Sequence, residues 1–440
     1  MKNTLIRWGI ALIVGVLVAG AAVQAQARHE LGDEALLDLV QRQTLRYFWE
    51  HAHPTSFMAP ERNTTPNCVT TGGTGFGLMA WVVGCERGWF ERREVLRRSH
   101  VLVDFLARAD RWHGAWPHWL DGTTGKVIPF WKKDDGADLV ETSYLVMGLL
   151  TLDAYFSRSN LDERSLREKI RKLWREVEWT WFTRGENVLY WHWSPNFGWE
   201  MNHRIRGWNE CLITYLLAAS SPTFPISPNA YHQGWAGSEH FKNGNQYYRL
   251  PPLPLGEKLG GPLFFSHYSF LGIDPRGLRD AYADYGEQVR IHTLTNYYYC
   301  VENPKRYRGY SSRCWGLTAS DNDKGYSAHS PTNDLGIITP TAALSSMPFT
   351  PLQSMRALRH FLQVYEGRLW GKCGFYDAFS PHRDWIAESY LAIDQGPIIV
   401  MLENHRTSLL WRLFGEHADV RRGLKRLGFV RMSSRQGGGL

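Results

Sequence analysis

"DLVETSYLVMGLL" (residues 138–150), followed by "ERSLREKIRKLWREVEWT" (163–180), is the passage on which the fold turns. Residues 139–156 are apolar on every face, whereas 163–180 are charged and amphipathic. A helix apolar all round must be enclosed by protein, while an amphipathic one covers it and meets water. The same alternation recurs along the chain. Residues 36–52 carry apolar side chains at helical spacing (Leu36, Leu39, Val40, Leu45, Phe48). Residues 76–85 are almost wholly apolar and 94–108 amphipathic. Helices are likewise expected over 211–219, 351–365, 393–414 and 418–427, and strand signals are confined to short pieces such as 188–193. Inner helix and outer helix, repeated around a ring, predict an all-α fold. Six such hairpins make an (α/α)6 toroid, with long loops forming a cleft on one face. A solenoid of hairpins would need a fixed-period repeat, which the chain lacks.

The inner segments begin with polar groups. "TTGGTGFGLMAW" opens with Thr and Gly, "DLVETSYLVMGLL" with Asp138 and Glu141, and "WNECLITYLL" with Asn209 and Glu210. "SPTNDLGIITPTAALSSM" opens with Asn333 and Asp334, and "LAIDQGPIIVML" with Asp394. If the inner helices run parallel, these ends converge on one face. Helix capping accounts for Asp138, Asn333 and Asp334 taken singly, since short polar side chains satisfy free backbone N–H groups and acids suit the positive end of the dipole. Glu141 and Glu210 resist that account, because an apolar run follows each directly. A buried, unpaired carboxylate is costly, which leaves pairing with Arg204 or Arg206, or a function.

Twenty tryptophans, twenty tyrosines and twenty phenylalanines exceed what a core of this size needs. Several lie in polar stretches, "HGAWPHWLDG" (113–122) and "YWHWSPNFGWEMNHRIRGWNE" (190–210). Aromatic faces beside His, Arg and Asn suit a ligand with apolar CH faces and a rim of hydroxyls, as a sugar ring has. Two carboxylates in such a cleft point to glycosidic bond cleavage: one protonates the departing oxygen, and the other activates water or attacks the anomeric carbon. An apolar wall raises the pKa of one carboxyl, as a general acid working near neutral pH requires.

The first 27 residues read as a signal peptide: basic Lys2 and Arg7, an apolar run over 10–22, and a small-residue site at 25–27. The run is short for a membrane anchor, so residues 28–440 are expected as one periplasmic or secreted domain. Residues 436–440 would form a loose tail. Removing Lys2 and Arg7 lowers the formal charge from +7 to +5. That charge is spread along the chain, which argues against nucleic-acid binding. No CxxC or HExxH is present, so neither metal nor cofactor is expected. Six cysteines are too few for a disulfide scaffold, with Cys300–Cys314 the favoured bridge and Cys211 expected simply to pack. "GYSAH" (325–329) misses the nucleophile elbow, "GGTGFG" (72–77) the dinucleotide loop, and "DNDKG" (321–325) has Thr332 where a calcium loop requires Glu.

The chain also resembles the bacterial glucoamylase-like domain family, grouped with glycoside hydrolase family 144, the endo-β-1,2-glucanases. The resemblance runs from about residue 36 to 414. It is carried by "TGGTGFGLMA", "ETSYLVMGLL", "YWHWSPNFGWEMNHRIRGWNECLITYLLAASSP", "GGPLFFSHYSFLGIDPRGLRD", "CWGLTASD", "GYSAHSPTNDLGIITPTAALSSMP" and "SYLAIDQGPIIVMLEN". It implies an (α/α)6 toroid and metal-independent action on β-1,2-glucan, with inversion for the hydrolases. The family's candidate carboxylates fall on Asp134, Asp138, Glu141, Glu210 and Asp394. Related domains fused to cyclic glucan synthases resemble retaining transglycosylases that use the glutamates matching Glu141 and Glu210. The expected catalytic set is therefore Glu141, Glu210, Asp138 and Asp394. The expected substrate-binding set is Asp134, Trp116, Trp119, His192, Trp193, Trp199, Arg206, Trp208, Tyr326, Asn333 and Asp334. The expected partner is an oligo- or polysaccharide, with the oligomeric state left open and a monomer favoured; the alternative to an enzyme is a catalytically silent glucan-binding protein.

Overall fold

The computed structural model describes residues 30–432; the expected signal peptide and the tail at 436–440 lie outside the described residues. The helices, in chain order, are α1 (Asp33–Glu50), α2 (Thr71–Glu86), α3 (Arg92–Arg108), α4 (Leu139–Tyr155), α5 (Leu161–Arg175), α6 (Leu212–Ser220), α7 (Tyr285–Glu302), α8 (Pro340–Leu344), α9 (Pro351–Leu369), α10 (Ala392–Thr407), α11 (Leu409–Gly415) and α12 (Ala418–Arg426). Strands are short and lie in the loops, so the structure is mostly helical.

Helices α2, α4, α6, α8 and α10 are buried along nearly their whole length. They pack side by side in the order α8, α10, α2, α4, α6. Gly75 lies against Tyr144 and Gly148, and Gly72 against Glu141, so α2 and α4 run in the same direction. Gly73 facing Ala392, with Phe76 facing Gly396, gives the same sense for α2 and α10. The α2–α4 approach depends on glycine. A Cβ on Gly75 would stand 2.1 Å from the Tyr144 carbonyl oxygen, and one on Gly148 would stand 2.2 Å from that of Gly75. Amphipathic helices cover this wall: α1 over α2 and α10, α5 over α4, α12 over α6, and α9 over α8. Their buried faces supply the apolar area that holds the layers together.

The structure departs from the sequence reading in identifiable places. Helix α7 was not expected. Its buried face includes Gln288, His292, Thr293, Thr295 and Asn296, which blurs the apolar period. Several of these hold loop backbone: Gln288 with Leu255, His292 with the Gly261 carbonyl, and Asn296 with Leu317. The single helix expected over 393–414 is two, broken at Ser408 (φ 58°). There Asn404 Oδ1 accepts from the backbone N–H groups of Leu410 and Trp411. The helix expected over 163–180 stops at Arg175, and of 188–193 only His192–Trp193 forms a strand, paired with Ala137–Asp138. Cys300 and Cys314 are buried free thiols, which corrects the expected disulfide; Cys211 is a buried thiol in the core, as read.

Candidate active site

The parallel inner helices bring their polar N-termini to one face, where two acidic clusters form. The first is built around α4. Asp138 precedes the helix, and its Oδ1 accepts from the backbone N–H groups of Val140 and Glu141, each at 2.9 Å. Its other oxygen faces His118 Nδ1 at 3.3 Å and His192 Nε2 at 3.7 Å. Asp138 is fully buried, and despite that burial the His118 ring beside it holds its carboxyl below the ordinary range. Capping accounts for Oδ1, whereas Oδ2 has no hydrogen-bond partner and faces the two imidazoles.

His118 is the hub. Its Nε2 lies 3.9 Å from Glu141 Oε1, and its ring stacks on Phe130 at 4.1 Å. Burial disfavours its charge, but Glu141, Asp138 and Asp134 together raise the imidazole to about 9. His192 goes the other way: burial lowers it to about 4, so it stays neutral between Asp138 and Asp134, whose Oδ2 is 3.4 Å from Nε2. Asp134 is pushed up to about 7 by burial and by the Asp138 charge. Glu141 is 4% exposed and accepts from the Gly72 backbone N–H at 2.7 Å. Burial raises its pKa, while His118 and Gly72 oppose the rise.

Glu210 enters from the segment before α6 and is only partly covered. Burial of its carboxyl, aided by Glu141 and Asp138, raises it to about 7 against the pull of its own backbone N–H. Burial thus raises both carboxyls, Glu141 against the pull of its donors and Glu210 to about 7, and a carboxyl so raised can serve as a general acid. Neither glutamate takes Arg204 or Arg206 as a partner: Arg204 binds Glu186, and Arg206 is exposed.

The second cluster surrounds the start of α10. Asp394 is 2% exposed and both its carboxyl oxygens lack a hydrogen-bond partner. Burial and the neighbouring Asp377 carboxyl push it well above the ordinary range, and burial likewise raises Asp377 to about 7. Asp377 accepts from the Asp321 backbone N–H at 2.7 Å, and Asp321 in turn binds Arg62. Tyr326 lies beside Asp394 with half of its surface open to the cleft. Tyr268 sits between the clusters, its phenol raised by burial and then by Asp394, Tyr326, Glu210 and Glu141.

Several expected ligand residues belong elsewhere. Trp116 is fully buried and donates from Nε1 to the Leu106 carbonyl at 3.0 Å, so it is a core residue. Trp208 is 4% exposed among Trp235, Phe241, Phe270 and Tyr285, and it too belongs to the core. Asp334 is buried and accepts from the hydroxyls of Tyr299 and Tyr310 and from the Gly336 backbone N–H, which makes it a loop anchor. Asn333 is exposed and donates to the Ala328 carbonyl within its own turn. Trp119 meets Phe130 and His118 edge-on, close to the first cluster. Trp193 and Trp199 are half-buried and pack on Trp181. His118, Tyr268 and Asp377 were missed. The first two stand inside the quoted stretches "HGAWPHWLDG" and "GGPLFFSHYSFLGIDPRGLRD", while Asp377 carries no sequence signal. His118, Asp134 and Asp138 also place donor atoms within 4.8 Å of one another, a metal-like grouping that no motif announced.

A family model described as "Putative glucoamylase" matches residues 202–418. The exo β-1,2-glucooligosaccharide sophorohydrolase (non-reducing end) of Parabacteroides distasonis is 44% identical over an alignment of 422 positions that covers 91% of this chain; the chain spans 58% of that relative's length. A solved structure from Bacteroides uniformis with the same glucoamylase description is 56% identical, covering 91% of this chain and 98% of its own, with a TM-score of 0.90. The endo-β-1,2-glucanase of Chitinophaga pinensis, solved with sophorotriose and glucose, is 51% identical over 91% of this chain and 99% of its own, with a TM-score of 0.89. The chain belongs to the bacterial glucoamylase-like domain family, grouped with glycoside hydrolase family 144.

Proposed function

We propose that the protein is a glycoside hydrolase that cleaves β-1,2-glucan, endo-acting and inverting, exported through its N-terminal segment. The carrying observation is the pair Glu141 and Glu210 at the starts of neighbouring inner helices, one supplied with donors and the other raised to about 7. Glu210 delivers its proton to the glycosidic oxygen as the bond to the anomeric carbon breaks. Glu141 takes a proton from the water that attacks the opposite face. Asp138 and His118 hold Glu141, and Tyr268 and Asp394 line the far side of the sugar. The helix order, with parallel inner helices and covering outer ones, supports the (α/α)6 toroid as the full architecture.

Endo action is favoured because the endo-acting relative is 51% identical to this chain, against 44% for the exo-acting one. A second reading follows from Glu141 lying near enough to Glu210 to help raise its carboxyl. Close carboxyls permit direct attack by Glu141, hence retention and transfer to a sugar acceptor. Digestion of linear β-1,2-glucan tests both. Mixed mid-length products with an initial α anomer support the proposal; sophorose alone would show exo action, and an initial β anomer with transfer to an added sugar acceptor would show transglycosylation. No reducing ends at all would leave a glucan-binding protein.

A further inference from the structure

The loop at residues 130–134 shows large aromatic side chains to solvent beside the first acidic cluster. Trp131 is 69% exposed and Phe130 36%. Burying such rings would stabilise the fold, and leaving them in water forgoes that gain. The loop is nevertheless well fixed. The Phe130 backbone N–H donates to the Asp134 carbonyl at 2.9 Å, and the Asp134 N–H to the Trp131 carbonyl at 3.0 Å. The Phe130 ring lies on His118, the Asp134 carboxyl faces His192, and Lys133 pairs with Glu200 across 2.8 Å. The rings form a continuous path from Glu141 outward: His118, then Phe130 at 4.1 Å, then Trp131 at 6.2 Å from Phe130.

We propose that Phe130 and Trp131 form a stacking platform for glucose units remote from the bond being cut, so that Trp131 sets a preference for longer chains. A sugar ring offers an axial CH face to such a platform, and binding there is shared by ground and transition states. It lowers KM and leaves kcat almost unchanged. This inference rests on the glucan reading of the site.

The test measures kcat/KM of the full chain and of Trp131→Ala and Trp131→Phe on β-1,2-gluco-oligosaccharides of increasing length, with calorimetric binding of long β-1,2-glucan. Trp131→Ala is expected to lose roughly tenfold on long chains, about 1.4 kcal/mol, through KM. The shortest cleaved oligosaccharide is unaffected, and Trp131→Phe keeps most of the preference. A loss equal at every length, or no loss at any length, overturns the platform while leaving the glucanase reading intact. A wild-type protein that binds long glucan through Trp131 without cleaving it overturns the glucanase reading and leaves the platform standing. Absence of both binding and cleavage sinks both. Concentration-dependent self-association that Trp131→Ala abolishes, with cleavage unchanged, assigns the loop to a protein contact instead.

Discussion

The backbone N–H of Gly72 donates to Oε2 of Glu141 across 2.7 Å, and a Cβ on Gly72 would stand 2.5 Å from that oxygen. Helix α2 thus supplies both the hydrogen bond and the space that fix a carboxylate carried by α4.

Gly72→Ala should therefore displace the Glu141 carboxyl with little effect on the outer helices. Misplacing a reacting group by about an ångström costs up to roughly 100-fold, so kcat on β-1,2-glucan should fall roughly 10- to 100-fold. Steady-state kinetics alongside a thermal melt checks this. Unchanged kcat would show that Glu141 does not depend on Gly72 for its position.

The raised Glu210 carboxyl sets the pH response. As the acid it works only while protonated, so kcat/KM should fall as pH rises through about 7. Stability follows the same sign. The folded value lies above the ordinary 4.5, so the native state holds a proton that the unfolded chain has lost. Stability from this group is therefore lost as pH rises from about 4.5 to about 7. Glu210→Gln should raise the melting temperature more at pH 8 than at pH 5. An equal effect at both would mean that Glu210 titrates normally.

Much of this was legible in the sequence, and the failures have physical causes. Glu141 and Glu210 stand out because a charge heading an apolar run has no cheap structural explanation, and both lie at the site. Asp138 and Asp334 look alike in sequence, but Asp138 caps α4 between two imidazoles while Asp334 anchors tyrosine hydroxyls. Tryptophan in a polar stretch was a poor guide to exposure. Trp116 and Trp208 are core residues, because their neighbours in the sequence are not their neighbours in space. Helix α7 escaped notice since its buried side chains are partly polar and serve loops distant in sequence.

Trp208 provides a check on that correction. Removing a buried tryptophan leaves a cavity, and Trp208→Ala should cost about 3–5 kcal/mol in denaturant unfolding. The folded fraction should bind β-1,2-glucan as tightly as the wild type. Weakened binding at unchanged stability would return Trp208 to the ligand surface.

The cysteines give another. With Cys300 and Cys314 free and buried, these two thiols should stay unreactive in the native protein, because burial raises their pKa well above the ordinary value. After denaturation without reductant, six should titrate. Four titratable thiols, or a melting temperature lowered by dithiothreitol, would establish a bridge.

The central claim is that Glu141 and Glu210 perform the bond cleavage, and the direct measurement is the initial rate of reducing-end release from linear β-1,2-glucan by wild type, Glu141→Gln and Glu210→Gln. Each substitution keeps shape and hydrogen bonding but removes the transferable proton and the charge. The account predicts an active wild type, with each variant slowed roughly 100- to 10,000-fold at unchanged circular dichroism and melting cooperativity. Near-normal rates in both variants would contradict it.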